Sequence, residues 1–358
     1  MKACVAIALS GGVDSTAAAL LLKDDGYQVI GVTMRTWSRV VGKEGPSFSG
    51  CQQPQDEDDA RRVAQALDIP FHVIDMTREY RAEVIDYLSQ EYLAGRTPNP
   101  CVRCNQRVKF GALLDEVRNL GVEPDYLATG HYARVEYDAT RCRYILKKAK
   151  DAAKDQSYFL SSLSQDQLAR SLFPLGERTK TEARSLAASL GLGLENRRES
   201  QDFAADYSPV RAAAEPGPIV NGLGNLLGRH HGIPLYTIGQ RRGLGVATGE
   251  PLYVTAIDRE SNTITVGTRE DVYRDELVAS QLSWVAVDDL RGPLDVTAKI
   301  RYSHGGAGAV ITPIGGGKVH ARFTEPQMAI APGQAVVFYD GEEVVGGGII
   351  EASAGHPV

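Results

Sequence analysis

A short apolar run, Ala3-Cys4-Val5-Ala6-Ile7-Ala8, leads into Leu9-Ser10-Gly11-Gly12-Val13-Asp14-Ser15 and then into Thr16-Ala17-Ala18-Ala19-Leu20-Leu21-Leu22-Lys23. The run has the length of one buried parallel strand. The segment after the glycines is rich in strong helix formers and stops near Gly26. Strand, glycine-rich turn and helix, in that order, place backbone N–H groups and the positive helix end around a spot suited to an anion. The glycines let a ligand approach the backbone closely, and the serine hydroxyls add donors. A Gly-Gly pair here also reads as an ordinary tight turn, so the anion site rests on the whole string. A Walker-type loop is excluded, because its Lys-Ser/Thr ending is absent.

The chain that follows predicts α/β alternation. Val29-Ile30-Gly31-Val32-Thr33-Met34 reads as a second parallel strand, with Met34 at its carboxyl end, where it either flanks a base or packs in the core. A polar loop from Arg35 to Gln55 holds Cys51. Asp59–Leu67 has helical spacing, Phe71–Ile74 reads as a strand, and a helical stretch runs from about Arg78 to Ala94. The pattern predicts a doubly wound parallel sheet. In Gly95–Asn105, Pro98 and Pro100 predict a rigid non-helical loop presenting Cys101 and Cys104 in C-x-x-C spacing. Lys109–Leu114 starts the next helix. Tyr126–Tyr132 reads as a strand whose Gly130 would let a nucleotide approach, and His131 reads equally as structural or catalytic. Lys154-Asp155-Gln156-Ser157-Tyr158 is a polar knot ahead of a helical run. After Phe203 helical periodicity fades, and short alternating runs such as Thr263–Val266, Val319–Phe323 and Val344–Ile350 predict a small barrel or sandwich.

At 358 residues the chain is long enough for two or three domains. No apolar run approaches the roughly 20 residues that span a bilayer, and the first strand starts at once, so a cytoplasmic protein without signal peptide or membrane contact is expected. The net charge of −6 disfavours nucleic acid only on global grounds. Local basic clusters stand at Lys147-Lys148-Ala149-Lys150, Arg197-Arg198, Arg229-His230-His231 and Arg241-Arg242; each alone reads as a solvated face. Five cysteines in such a chain point to chemistry or metal rather than a disulfide framework.

SGGVDS resembles the pyrophosphate loop of N-type ATP pyrophosphatases, which cleave ATP between the α and β phosphates and adenylate a substrate oxygen. That resemblance implies Mg²⁺ held by Asp14 against the pyrophosphate. Further motifs are Thr97-Pro98-Asn99-Pro100-Cys101-Val102-Arg103-Cys104-Asn105 with its continuation to Gly111, ATGHYAR at Ala128–Arg134, KDQSYFL at Lys154–Leu160, YTIGQRRGLG at Tyr236–Gly245, RYSH at Arg301–His304, and EPQMAIAPGQAVVFYDG at Glu325–Gly341. In this order they are similar to the tRNA-specific 2-thiouridylases of the MnmA type over nearly the whole chain. The resemblance implies 2-thiouridine formation at the wobble position of tRNA: ATP adenylates the uracil O2, and a sulfur nucleophile attacks C2. It implies an ATP site at Ala8, Leu9, Ser10, Gly11, Gly12, Val13, Asp14 and Ser15 with Met34 and Gly130. Asn99, Pro100 and Cys101 would meet the target base, and Lys154, Asp155, Gln156, Arg301 and Tyr302 the tRNA. The implied organisation is a catalytic domain over 1–207, a small central domain over 208–277 and a C-terminal β-barrel over 278–358.

The sequence departs from this pattern where it matters for sulfur. Cys104 occupies the first catalytic cysteine's position, but the persulfide cysteine of S-Q-D-x-C-F falls on Ala204, within Ser200-Gln201-Asp202-Phe203-Ala204-Ala205. Cys101 stands instead beside Cys104, and Cys51 lies in the polar loop. Three thiolates can ligate three irons of a 4Fe-4S cluster, whose fourth iron would bind hydrosulfide. The competing expectation keeps Cys104 as nucleophile with Cys101 or Cys51 as resolving thiol, and zinc ranks behind both. The sulfur donor is then free sulfide or a relay protein. Cys4 and Cys142 read as bystanders. Two other functions stay open: an amidase-type ligase with the same loop, and a non-catalytic tRNA-binding relative.

Overall fold

The structure is a computed structural model, and it describes residues 2–36, 54–194, 210, 214–246 and 249–353. Cys51 and the Ser200–Ala205 stretch lie outside them. The chain divides into two compact units: Met1–Ile85, Pro100–Asp206 and Glu342–Val344 form one, and Asp86–Asn99, Tyr207–Gly341 and Val345–Val358 the other.

The first unit is built on parallel strands β1 (Cys4–Ala8), β2 (Gln28–Arg35), β3 (Phe71–Asp75) and β4 (Tyr126–Ala128), followed by the antiparallel hairpin β5 (Ala133–Asp138) and β6 (Arg143–Lys148) and the short β7 (Ser171–Leu172). The parallel sheet has the order β3-β2-β1-β4-β7. Its strand order therefore reverses at β1, which opens a crevice beyond the carboxyl ends of β1 and β4. Helices α1 (Val13–Asp24) and α2 (Pro54–Ala66) cover the sheet, joining Val5, Ile7, Leu9, Ala17, Ala18, Leu22, Val63 and Leu67 in one core. Those residues read as near-continuous apolar runs because both faces of a parallel sheet are covered.

Two expectations are corrected here. Gly95–Asn105 is not wholly loop: Pro100–Cys104 is helical and continues as a π-helix over Asn105–Ala112. Pro100 opens the helix because its missing N–H would have no intrahelical partner there. The Tyr126–Tyr132 strand stops at Ala128, and the chain turns away at Thr129 and Gly130.

The second unit holds a small central sheet and a barrel. Strands β8 (Gly217–Asn221), β9 (Leu226–His230), β10 (Tyr253–Asp258) and β11 (Thr263–Gly267) make a sheet of order β10-β11-β8-β9 around Ile219, Val254, Ile264 and Val266. Six strands follow: β12 (Tyr273–Trp284), β13 (Leu294–Lys299), β14 (Ala307–Gly315), β15 (Lys318–Met328), β16 (Ala335–Asp340) and β17 (Glu343–Ser353). They run in the order β12-β15-β14-β13-β16-β17, and β17 pairs back onto β12 to close a barrel. Alternating inward residues such as Val319, Ala321 and Phe323 fill it. Among the described residues no helix is long and apolar enough to cross a membrane.

Candidate active site

The SGGVDS loop sits at the reversal point of the parallel sheet. Gly12 caps α1 in an extended conformation, so the first helical N–H groups face the crevice. Gly11 has φ +68°, and a Cβ there would stand 2.7 Å from the Asp56 carbonyl oxygen and 2.8 Å from the Asp59 Cβ, so α2 packs against bare backbone. The hydroxyls shape the loop: the Ser10 N–H donates to Ser15 Oγ at 3.1 Å, and Ser15 Oγ and Thr16 Oγ1 donate to the Gly12 carbonyl at 3.1 and 2.8 Å. Leu9 and Val13 are buried below, and Met34 is buried at the carboxyl end of β2 beside Ile74.

Gly130 meets this loop from the next strand. A Cβ on it would lie 2.6 Å from both the Asp14 carbonyl carbon and the Ser15 nitrogen, backbone atoms that cannot swing aside. Gly130→Ala is expected to lower the melting temperature by several degrees, from an overpacking cost of about 1–3 kcal/mol. It should raise KM for ATP together with that loss. Calorimetry and ATP titration check this, and an unchanged KM would break the link between Gly130 and the loop.

Two partners of Asp14 escaped the sequence reading. Lys180 Nζ lies 2.8 Å from both carboxylate oxygens of Asp14, and the Tyr132 hydroxyl donates to Oδ1 at 2.8 Å. The Lys180 side chain is 10% exposed and that of Asp14 33%, so the pair sits at the mouth of the loop with Asp14 outermost. Lys180 is the first residue of the helix Lys180–Ala188, whose start is fixed by a capping box between Thr179 and Glu182. The Thr179 backbone N–H, and then its hydroxyl, holds the Glu182 carboxyl below its usual range. The Lys180 N–H also donates to Asp151 at 3.0 Å. Thr-Lys-Thr-Glu could have flagged the helix start; nothing local flags the pairing with Asp14.

His131 is packed between Phe110 and Phe173, with ring centroids 6.2 Å away in each case. Burial, and secondarily Lys109, holds its pKa well below the ordinary value, so the ring is neutral. Its Nδ1 shares a 2.7 Å hydrogen bond with Thr129 Oγ1.

Cys101 and Cys104 stand on the first turn of the helix that begins at Pro100, Cys101 half-buried and Cys104 buried. Arg103 ties this turn down through Glu83, at 2.8 Å to Oε2 and 3.1 Å to the carbonyl. The Gln167 amide donates to the carbonyls of Gln106 and Phe110 on this π-helix at 2.8 and 2.9 Å. Asn105 and Gln106 donate in turn to the Phe159 and Ser162 carbonyls. Among the described residues no group of three or more His, Cys, Asp and Glu is placed to hold a metal; Cys51 is not among them.

The polar knot is internally organised. Asp155 is buried and accepts from the Ala149 and Ser157 N–H groups and the Ser157 hydroxyl. Gln156 Oε1 accepts from the Tyr132 N–H at 3.0 Å and so steadies the tyrosine that reaches Asp14. Lys154 is half-buried. In the second unit Asn99 is half-buried, Arg301 donates to the Met328 carbonyl, and Lys299 lies over the Tyr302 ring at 5.8 Å. Burial and the neighbouring Asp125 raise the Cys4 thiol, and Cys142 is exposed at a turn.

A reversing parallel sheet, a glycine loop capping its first helix and a carboxylate gripped there by lysine and tyrosine define the class: a PP-loop α/β domain. A family model described as the tRNA methyl transferase HUP domain matches residues 3–204, one described as the tRNA methyl transferase PRC-barrel domain matches 201–268, and one described as the aminomethyltransferase beta-barrel domain matches 274–350. The tRNA-specific 2-thiouridylase MnmA of Moorella thermoacetica is 49% identical over 97% of this chain and 99% of its own length. MnmA 1 of Caldanaerobacter subterraneus is 47% identical over 97% of each, and MnmA of Geotalea uraniireducens 49% over 97% of this chain and 94% of its own. The chain belongs to the MnmA family of tRNA-specific 2-thiouridylases.

Proposed function

We propose that this chain forms 2-thiouridine at position 34 of tRNA by ATP-dependent sulfur transfer. The observation that carries the reading is Asp14, held by Lys180 and Tyr132 at the mouth of SGGVDS, in a chain nearly half identical to 2-thiouridylases along its whole length. The loop N–H groups and serine hydroxyls would hold the phosphates of ATP, with Met34 and Gly130 beside the adenosine. Asp14 would supply a carboxylate oxygen for Mg²⁺, and Lys180 balances its charge beside the incoming polyphosphate. Uracil O2 attacks the α-phosphorus, the α–β phosphoanhydride breaks, and pyrophosphate leaves. Sulfur then attacks C2, the C2–O2 bond breaks, and AMP departs. A base of the anticodon loop is already unpaired, so presenting it costs only a few kcal/mol.

The sulfur chemistry falls to the turn at Pro100. Residues three apart on a helix share a face, so Cys101 and Cys104 are a suitable pair of soft donors. Together with Cys51 they would hold a 4Fe-4S cluster, which when bound supplies an iron site for hydrosulfide. Ala204 in the persulfide position supports this over a two-cysteine relay. Asn99, Pro100 and Cys101 would face the base. Lys154, Asp155, Gln156, Arg301 and Tyr302 would serve the tRNA contact, Asp155 and Gln156 by shaping the knot from within.

The test is reconstitution with ATP, Mg²⁺, hydrosulfide and unmodified tRNA. One AMP and one pyrophosphate per 2-thiouridine are expected; ATP cleavage driven by small-molecule acceptors instead of tRNA would favour an amidase-type ligase. With two or three phosphate contacts, tRNA affinity should fall roughly 10- to 40-fold between 50 and 200 mM salt.

A further inference from the structure

Tyr132 and Lys180, the two partners of Asp14, stand on separate elements, yet one short loop holds both. It spans residues 151–156, between strand β6 and the helix Ser157–Leu160, and every residue concerned belongs to the first compact unit. One arm leaves from the start of the loop, where Asp151 Oδ2 accepts from the Lys180 N–H at 3.0 Å. The capping box of that helix serves the N–H groups of Thr179 and Glu182, so the N–H of Lys180 falls to Asp151. A carboxylate at a helix start is favoured by the dipole as well. Asp151 is itself fixed by the turn it closes: its Oδ1 accepts from the Ala153 N–H at 3.2 Å, and its carbonyl from the Lys154 N–H at 2.9 Å. The other arm leaves from the end of the loop, where Gln156 is joined to Tyr132 twice. The Gln156 N–H donates to the Tyr132 carbonyl at 2.8 Å, and the Tyr132 N–H donates back to Gln156 Oε1 at 3.0 Å. Between the arms, buried Asp155 accepts from both the Ala149 and the Ser157 N–H with the same oxygen, which ties the two ends of the loop together.

We propose that Asp151 and Gln156 are positioning residues for ATP. Each fixes the backbone of one partner of Asp14, Asp151 at Lys180 and Gln156 at Tyr132, and Asp155 keeps the two arms in step. Lys180 Nζ and the Tyr132 hydroxyl both meet the carboxylate at 2.8 Å, and charge-assisted hydrogen bonds of this length weaken steeply when bent. A shift of either backbone therefore misaims the carboxylate, with no contact between the loop and the nucleotide required. The inference deepens the reading of SGGVDS as an ATP site and rests on it, but not on the sulfur chemistry.

Calorimetric titration of the full-length, tRNA-free chain with ATP in Mg²⁺ tests this, because it reads affinity and the number of sites separately. A variant that merely folds poorly loses sites. One with a misaimed Asp14 keeps a single site per chain and binds ATP more weakly. Asp151→Ala and Gln156→Ala are each expected to weaken ATP binding roughly 5- to 20-fold, the part of a charge-assisted hydrogen bond that a displaced donor forfeits. Because the Gln156 arm acts through the Tyr132 hydroxyl, Gln156→Ala should cost nothing further in a Tyr132→Phe background, whereas Asp151→Ala, on the other arm, should still lower affinity. Both alanine variants within twofold of the wild-type affinity would overturn the proposal. So would a fall in the number of sites alone, or a Gln156→Ala loss as large with Tyr132→Phe as without it. A wild-type chain inert on tRNA whose variants show these shifts would overturn the thiolation reading and still support this inference. A wild-type chain that binds no ATP would overturn the inference.

Discussion

Lys180→Ala is expected to reduce tRNA-dependent AMP release by about 10²–10³-fold, the range seen when one group aimed at developing charge is removed. The side chain is nearly enclosed, and its ammonium touches both oxygens of Asp14. Without it, the Asp14 carboxylate keeps the Tyr132 hydroxyl but faces the negative polyphosphate uncompensated. KM for ATP should rise and kcat fall together, and Lys180→Arg should recover part of the loss. Asp14→Asn should be as damaging by the other route, since an amide is a poor ligand for Mg²⁺. Asp14 is one-third exposed, but Asp14→Asn leaves the nearly enclosed Lys180 ammonium without its counter-charge, so a fall in melting temperature should accompany the loss of activity. Steady-state AMP release at graded ATP and Mg²⁺ decides the matter. Both constants within threefold of wild type in Lys180→Ala would reduce Lys180 to a structural counter-ion.

The loop was legible because its parts are contiguous: strand, glycines and helix follow one another within Cys4–Asp24. The grip on Asp14 was not, because Tyr132 and Lys180 lie 118 and 166 residues further along, and sequence periodicity carries no information about such pairs. Barrel strands such as Lys318–Met328 were visible from alternation, since one face of each is buried. Pro100 misled because proline breaks a helix interior but suits its first position, and only the fold shows which applies. The Lys147-Lys148 cluster reads as charge alone, yet it ends strand β6, and Lys147 is paired with Glu136 across the hairpin at 2.6 Å. On the π-helix, the Gln106 and Phe110 carbonyls are met by Gln167 from much further along the chain, again a long-range match. Function was more legible than the contacts that serve it: motifs carry chemistry locally, whereas their supports are distributed.

Cys104→Ala is expected to drop 2-thiouridine formation below about 10⁻³ of the wild-type rate, because neither proposed sulfur chemistry survives its loss. Cys104 is buried on a turn held by Arg103 and Glu83, so alanine leaves a small void and a modest fall in melting temperature, not an unfolded chain. Cys101 distinguishes the two chemistries. As a cluster ligand beside Cys104, its replacement by alanine should remove iron and acid-labile sulfide together with activity. The anaerobically purified wild type should carry about four of each. Cys51→Ala should behave in the same way. As a resolving thiol, Cys101 would leave no trace in metal content, and its alanine variant, supplied with a persulfide-carrying relay protein as the sulfane donor, would accumulate persulfidated Cys104 instead. Iron and sulfide analysis alongside mass spectrometry of the Cys104 peptide reads both outcomes in one preparation. Metal-free wild-type protein that still thiolates tRNA would end the cluster proposal and leave Cys104 as the nucleophile, with Cys101, three residues before it on the same turn, as the nearest resolving thiol in the sequence.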